Sequence, residues 1–359
     1  MSVVRCLVLV CMAATGCGKV EPRAAGDGGP QSDARPPDDA VPLLDARPPS
    51  DATSELDRHL HVASGWSIKP LVDLTEAGFV YNASDFMDSG MVTNQPGYVA
   101  ALYPPFSSSL AVLAGRTIIE IAADGSAVFH SFAPSAPDVG GPDMLGRATF
   151  ANLGQNQTGL WVTSSSAGGG DGLYLIDAQW LPSRLSSENN VYALALDPTG
   201  AYDSVGSPVL YVSVGVTKVE RWTTALSPVF TAAAGIDEFA VANGALFMTI
   251  EATDAVELDR VGPGPSYTVT KLATSSDIVL AEGATASGLF AIKDDTALVT
   301  IDQTNGAFTE DARTTDTDWQ WRSVNAPCDG HPLAGKLIVL ESNRTLNRDR
   351  LLLVTPPAP

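Results

Sequence analysis

Positive charge is what this chain has least of. Lys and Arg number 21 against 41 Asp and Glu, a formal net charge of −20. Nucleic acid and anionic lipid surfaces both demand a basic face, so neither is an expected ligand. The acidic excess reads instead as what keeps an exported protein soluble. Cysteine is scarce as well, with four in 359 residues, at positions 6, 11, 17 and 328. A disulfide-stapled scaffold is therefore excluded. No apolar run reaches the ~20 residues that cross a bilayer. Aromatics are few at 7 %, whereas 32 Gly and 25 Pro favour many turns over long helices.

The N-terminus has the make-up of an export signal. Arg5 supplies a cation, CLVLVCMAA a short apolar core, and AATG the small residues before Cys17. These residues resemble the lipobox of bacterial lipoproteins, with Ala14 standing where that family usually has leucine. The resemblance implies a signal peptide over 1–16 and Cys17 as the lipid attachment site. Cys6 and Cys11 would leave with the signal, and Cys328 would remain without a partner. Two or three acyl chains, at ~0.8 kcal/mol per buried CH₂, would hold the protein to the membrane. Gly18 and Lys19, in place of an Asp after the cysteine, imply the outer membrane at the cell envelope. Cleavage near Ala14 to give a secreted protein is the alternative.

Residues 17–57 are rich in Pro, Ala and Asp, with DARPP at 33–37 and again at 45–49. A segment this poor in apolar side chains cannot offset its ordering entropy, so a disordered spacer is expected. Residues 58–359 are the expected folded domain.

That domain repeats itself. Short apolar strands recur as LAVLA at 110–114, GLWVTS at 159–164, VLYVSV at 209–214, ALFMTI at 245–250, GLFAIK at 288–293 and KLIVLE at 336–341. Their spacing runs from 36 to 50 residues, the period of propeller blades. Each run follows a small-residue strand and precedes an alternating one, and five of the six units add a fourth. The sixth lacks its fourth strand, while SIKPLVDL at 67–74 has no blade of its own. The expected fold is thus all-β, a six-bladed β-propeller closed by pairing this N-terminal strand with RLLLVT near the C-terminus.

Within the repeat, VYALALDPTGAYDSVGSPVLYVSVGVTKVERW at 191–222 and GIDEFAVANGALFMTI at 235–250 resemble NHL or SMP-30-type units. LVTIDQTNGAF at 298–308 resembles the hairpin of quinoprotein-like repeats, with Asn305-Gly306 suited to a tight turn. The propeller implies that the loops entering each blade and the second of each blade's hairpin loops share one face around the axis. Every loop entering a blade brings a carboxylate to that face. Asp85, Asp138, Glu188, Asp277 and Asp318 are the candidate ligand-binding residues there, with Trp319 beside Asp318 as an aromatic wall suited to a sugar or a cationic ligand. Such a negative funnel suits Ca²⁺ or another divalent cation, and Asp237 and Asn190 are the candidate metal ligands.

Two functions are expected from this. The first is a non-catalytic envelope lipoprotein whose loop face binds a protein or a small ligand. The second, implied by the SMP-30 resemblance, is a metal-dependent lactonase or esterase. Against the second, the Glu that family uses at the first inner strand is missing, and QPGYVAALY offers only Gln95. GxSxG, HExxH and GxxxxGK[ST] are also absent. CDGH at 328–331 is expected on the opposite face as a structural loop, and Trp321 as packing between blades.

Overall fold

The computed structural model describes residues 59–79, 86–87, 90–91, 96–107, 109–122, 124–132, 145–154, 156–164, 172–186, 188, 191–281, 288–343 and 345–357. Cys17, the spacer, Asp85, Asp138 and Asn190 lie outside the described residues. Every regular element named among the described residues is a strand. They form six antiparallel sheets of four or five strands, plus one short hairpin at Phe86–Met87 and Gly90–Met91.

These sheets are the blades of a propeller. The inner strands are Pro96–Ala101, Leu145–Asn152, Leu194–Asp197, Ile236–Ala242, Ile278–Leu280 and Trp319–Asn325, in blades 1 to 6. Each inner strand touches the next, and that of blade 6 touches that of blade 1, so the ring is closed. One apolar cluster fills each seam between neighbouring blades. The second strands Leu110–Ala114, Val209–Val214 and Leu337–Asn343 are buried at every position, and the others at nearly every one, because a blade covers each of their faces. That is why they read in the sequence as unbroken apolar runs rather than as alternation. Outer strands such as Ala127–Ser131 are largely exposed, and Val128 and Phe129 stand among the exposed apolar side chains.

Blade 6 is completed as expected. Ser67–Asp73 pairs antiparallel with Arg348–Thr355, from Ser67 opposite Thr355 to Asp73 opposite Arg350, with a register shift at Leu71. A further strand, Leu60–Val62, extends blade 5 by pairing with Phe308–Thr314. The Asn305-Gly306 turn is wider than a two-residue hairpin. Only Gly306 has a positive φ, of 73°, and the loop is closed by Asp302, whose N–H donates to the Ala307 carbonyl at 2.9 Å.

Four inner strands carry a β-bulge near their first turn. The extra residues are Gly97 in blade 1, a residue of the Gly146-Arg147 pair in blade 2, Asp237 in blade 4 and Arg322 in blade 6. A bulge re-aims a side chain and interrupts the ladder. Gly146 permits the one in blade 2, since a Cβ there would stand 2.6 Å from Thr163 Oγ1. The same hydroxyl oxygen accepts the Arg147 N–H at 2.9 Å.

Candidate functional site

The face where the inner strands begin surrounds a funnel of about 500 Å³. Its described wall includes Tyr98, Arg147, Tyr192, Asp237, Glu238 and Asp277, drawn from blades 1 to 5. Arg147 is the anchor of this wall. Its guanidinium is ion-paired with Glu238 and lies 4.1 Å over the Tyr98 ring. Glu238 also accepts the Leu280 N–H, so the pair ties blades 2, 4 and 5 together across the axis.

The acidic side of the funnel is built on blade 5. Asp294 and Asp295 form the turn between its second and third strands, with the Thr296 N–H donating to the Lys293 carbonyl at 3.2 Å. Both carry positive φ, 54° and 57°, as a type I′ turn requires. Burial opposes ionisation of Asp294, but hydrogen bonds from Lys293, Ser276 and Ser275 bring its pKa down to about 2. Asp277 behaves in the opposite way. Burial, followed by repulsion from and hydrogen bonding to Asp295, pushes it up to about 6. Asp237 is also raised, first by burial and then by Glu251, with Arg147 acting against both.

Asp277 therefore sets a pH dependence. The folded state holds its proton more tightly than the unfolded chain, whose carboxyl has the ordinary value of 3.8. Stability from this group is present below about pH 4 and is lost as pH rises to about 6, because the folded state binds more protons in that window. Asp277→Asn should flatten this slope and raise the melting midpoint at pH 7, by about 2 °C or more. Melting curves between pH 4 and 7 check it; an unchanged slope would show that the carboxyl is not shifted.

The expected site residues fall into three groups. Asp237 and Asp277 line the funnel. Glu188 and Asp318 are exposed and lie outside its described wall. Trp319 is not an aromatic wall at all: it is 2 % exposed, stacked by His59 at 5.5 Å on one side and approached by Arg350 Cζ at 3.9 Å. Trp321 is buried as expected, and its indole N–H donates to Glu341 at 2.9 Å. No group of three or more His, Cys, Asp or Glu suited to a metal ion comes together among the described residues. Cys328 is disulfide-bonded, which corrects the expectation of a partnerless thiol; the other three cysteines lie outside the described residues. His331 is buried, donating to the Ser109 carbonyl at 3.2 Å and accepting the Leu333 N–H at 3.1 Å, so CDGH is a structural loop.

Arg147, Glu238 and Tyr98 were missed as site residues. One signal was available. A lone Arg inside the strand LGRATFAN must find a partner if that strand is buried.

No family model and no curated protein sequence matches the chain. Solved structures do match, and glucose dehydrogenases are among them. A putative oxidoreductase (glucose dehydrogenase) from Thermus thermophilus is 14 % identical, with a TM-score of 0.51, covering 81 % of this chain and 100 % of its own. A second glucose dehydrogenase is 13 % identical, with a TM-score of 0.52, covering 80 % of this chain and 98 % of its own. The likeness establishes the shared fold. These neighbours are dehydrogenases rather than NHL or SMP-30 proteins, and that overturns the expected non-catalytic ligand binder. The lactonase or esterase alternative has no support from them either.

Proposed function

We propose that the funnel is the substrate pocket of an oxidoreductase acting on a polyhydroxy, sugar-like alcohol. The observation that carries this is Asp277, a carboxyl pushed up to about 6 on the wall of a 500 Å³ funnel. A general base works best when its pKa lies near the working pH. Above pH 6 Asp277 would take the hydroxyl proton of the substrate while the hydride of the adjacent C–H leaves to a two-electron acceptor. Tyr98 and the half-exposed Tyr192 offer aromatic faces for a sugar ring, and Arg147, fixed by Glu238, offers directed donors. The glucose dehydrogenases of the same fold support the substrate class.

The quinoprotein-like hairpin at 298–308 raises a quinone as the acceptor. The described residues do not fit a carboxylated quinone. Arg147 is the one cation of the described wall and is neutralised by Glu238, while Asp237 and Asp277 present negative charge. Nor do these two carboxylates approach the six to eight oxygen ligands that Ca²⁺ takes. A neutral or cationic acceptor, an uncharged quinone or a phenazinium dye, suits the wall better.

The test is oxidation of aldoses by the purified chain, with a phenazinium dye as acceptor, from pH 5 to 8. Turnover should rise through about pH 6 and fall at least 100-fold in Asp277→Asn, the scale of a lost general base. No oxidation of any aldose, with the dye or with an uncharged quinone, would overturn the proposal. Anchoring at the outer membrane is likewise proposed, on the lipobox residues; it requires that Cys17 carry lipid and that the partner of Cys328 be Cys6 or Cys11 of the unprocessed chain. Labelled palmitate should enter the wild-type chain and not Cys17→Ala; equal labelling of both would remove Cys17 as the anchor.

A further inference from the structure

We propose that His59 is a positioning residue for the Asp277–Asp295 pair, so that seating of the N-terminal segment in blades 5 and 6 governs the funnel's proton acceptor. The inference rests on the proposed role of Asp277, and its test reads the carboxyl itself rather than turnover.

His59 is buried, although it stands at the start of the described chain. Its carbonyl accepts both the Thr315 N–H, at 2.6 Å, and the Thr315 hydroxyl, at 3.0 Å, on the loop that enters blade 6. Its ring lies nearly parallel to that of Trp319, at an interplanar angle of 7°. Its Nε2 lies 2.9 Å from the Arg350 guanidinium and 3.4 Å from the Glu341 carboxylate. Glu341 also takes the Trp321 indole N–H and, at 2.6 Å, the Arg350 Nε–H. Burial opposes its ionisation, yet these partners, His59 first among them, hold its pKa below the ordinary value. Imidazole, guanidinium, carboxylate and two indoles thus make one buried block, and it fixes the start of blade 6's inner strand.

That strand start holds the acidic turn. The Trp321 N–H donates to the Asp295 carbonyl at 2.7 Å. Arg322, the bulged residue, places its guanidinium 3.8 Å from the Asp295 carboxylate. A turn with two non-glycine residues at positive φ is strained and keeps its shape only where its surroundings insist on it. Asp277 is faced by Asp295 and Asp294 from this turn and by Asp237 from blade 4, while the nearby cations are engaged elsewhere, Lys293 with Asp294, Arg322 with Asp295 and Arg147 with Glu238, and Glu251 acts on Asp237. Without His59, one face of Trp319 and one partner of Glu341 are lost, the strand start loosens, and Asp295 swings from Asp277.

The experiment is a ¹³C NMR titration of Asp carboxyls in the full chain, with the Asp277 signal assigned by its absence in Asp277→Asn. Asp295→Asn removes the like charge directly and should bring the Asp277 midpoint down from about 6 toward the ordinary value of 3.8. His59→Ala should bring it down in the same direction by at least half that change. His59→Phe, which keeps the stacked ring and drops the polar links, should lie between, and it decides the matter if His59→Ala does not fold. An Asp277 midpoint unmoved in the His59 variants but lowered in Asp295→Asn would overturn this inference and leave the function proposal standing. A midpoint unmoved in Asp295→Asn would overturn the carboxyl pair on which both rest.

Discussion

A chain that begins at Leu74 should fail to close its ring. Blade 6 would keep three strands, and Arg348–Thr355 would present a bare edge where Ser67–Asp73 had been paired. Three losses coincide there. The ladder from Ser67 to Asp73 goes, and so does Leu71, which is 3 % exposed in the seam between blades 6 and 1. The Arg348 guanidinium also loses the Asp73 carboxylate, which it meets at 2.5 Å. Truncating one such leucine alone costs about 2–5 kcal/mol, against a total stability of about 5–15 kcal/mol. An unpaired edge is in addition a template for aggregation. The truncated chain should therefore show no cooperative melt and should sediment as aggregate. A chain beginning at residue 64 keeps the closing strand and loses His59, Leu60–Val62, Ala63 and, like the shorter chain, the cysteine that bonds Cys328; it should still melt cooperatively, at a lower temperature. If the chain beginning at Leu74 melts like the full protein, the ring does not depend on this closure.

The closure was legible because two irregularities in the repeat match each other. SIKPLVDL had no blade, and the sixth unit was one strand short. The second strands were legible for a different reason, since burial on both faces leaves an unbroken apolar run that no turn or outer strand imitates. The strand at Leu60–Val62 was not legible. Three residues, LHV, carry no period, and their pairing with Phe308–Thr314 spans most of the chain.

Within the site, what could be read was the face and some of its acids. Asp237 and Asp277 were placed by counting loops, and both line the funnel. What could not be read was where side chains point. The bulges at Asp237 and Arg322 depend on how two strands pair, not on either strand alone. Trp319 misled for a related reason. An indole beside two acids in a loop looks like a binding wall, and only the fold brings in His59 to cover it. Glu341 and Arg350 stand nine residues apart in the polar stretch ESNRTLNRDR, across a hairpin, yet they meet in the interior. A chain can hide a buried ion pair in this way because each partner alone resembles a solvated charge.

Replacing Arg147 with Met should cost more than any other single change at the funnel. The pair it forms with Glu238 is almost closed to water, with side chains 9 % and 5 % exposed. Removing the cation would leave Glu238 as a buried anion whose remaining named partner is the Leu280 N–H. Breaking a buried pair from one side costs about 3–5 kcal/mol, because the surviving charge is neither solvated nor compensated. The melting midpoint should fall by on the order of 10 °C at neutral pH. Two further results follow from the same electrostatics. In Arg147→Met with Glu238→Gln, the amide carbonyl still accepts the Leu280 N–H and no charge is stranded, so most of the loss should be recovered. Arg147 also works against the raised pKa of Asp237, so in Arg147→Met that carboxyl should titrate higher still. If Arg147→Met and the double variant melt together, the penalty is one of packing against Tyr98 rather than of a stranded charge, and the electrostatic account of the wall fails.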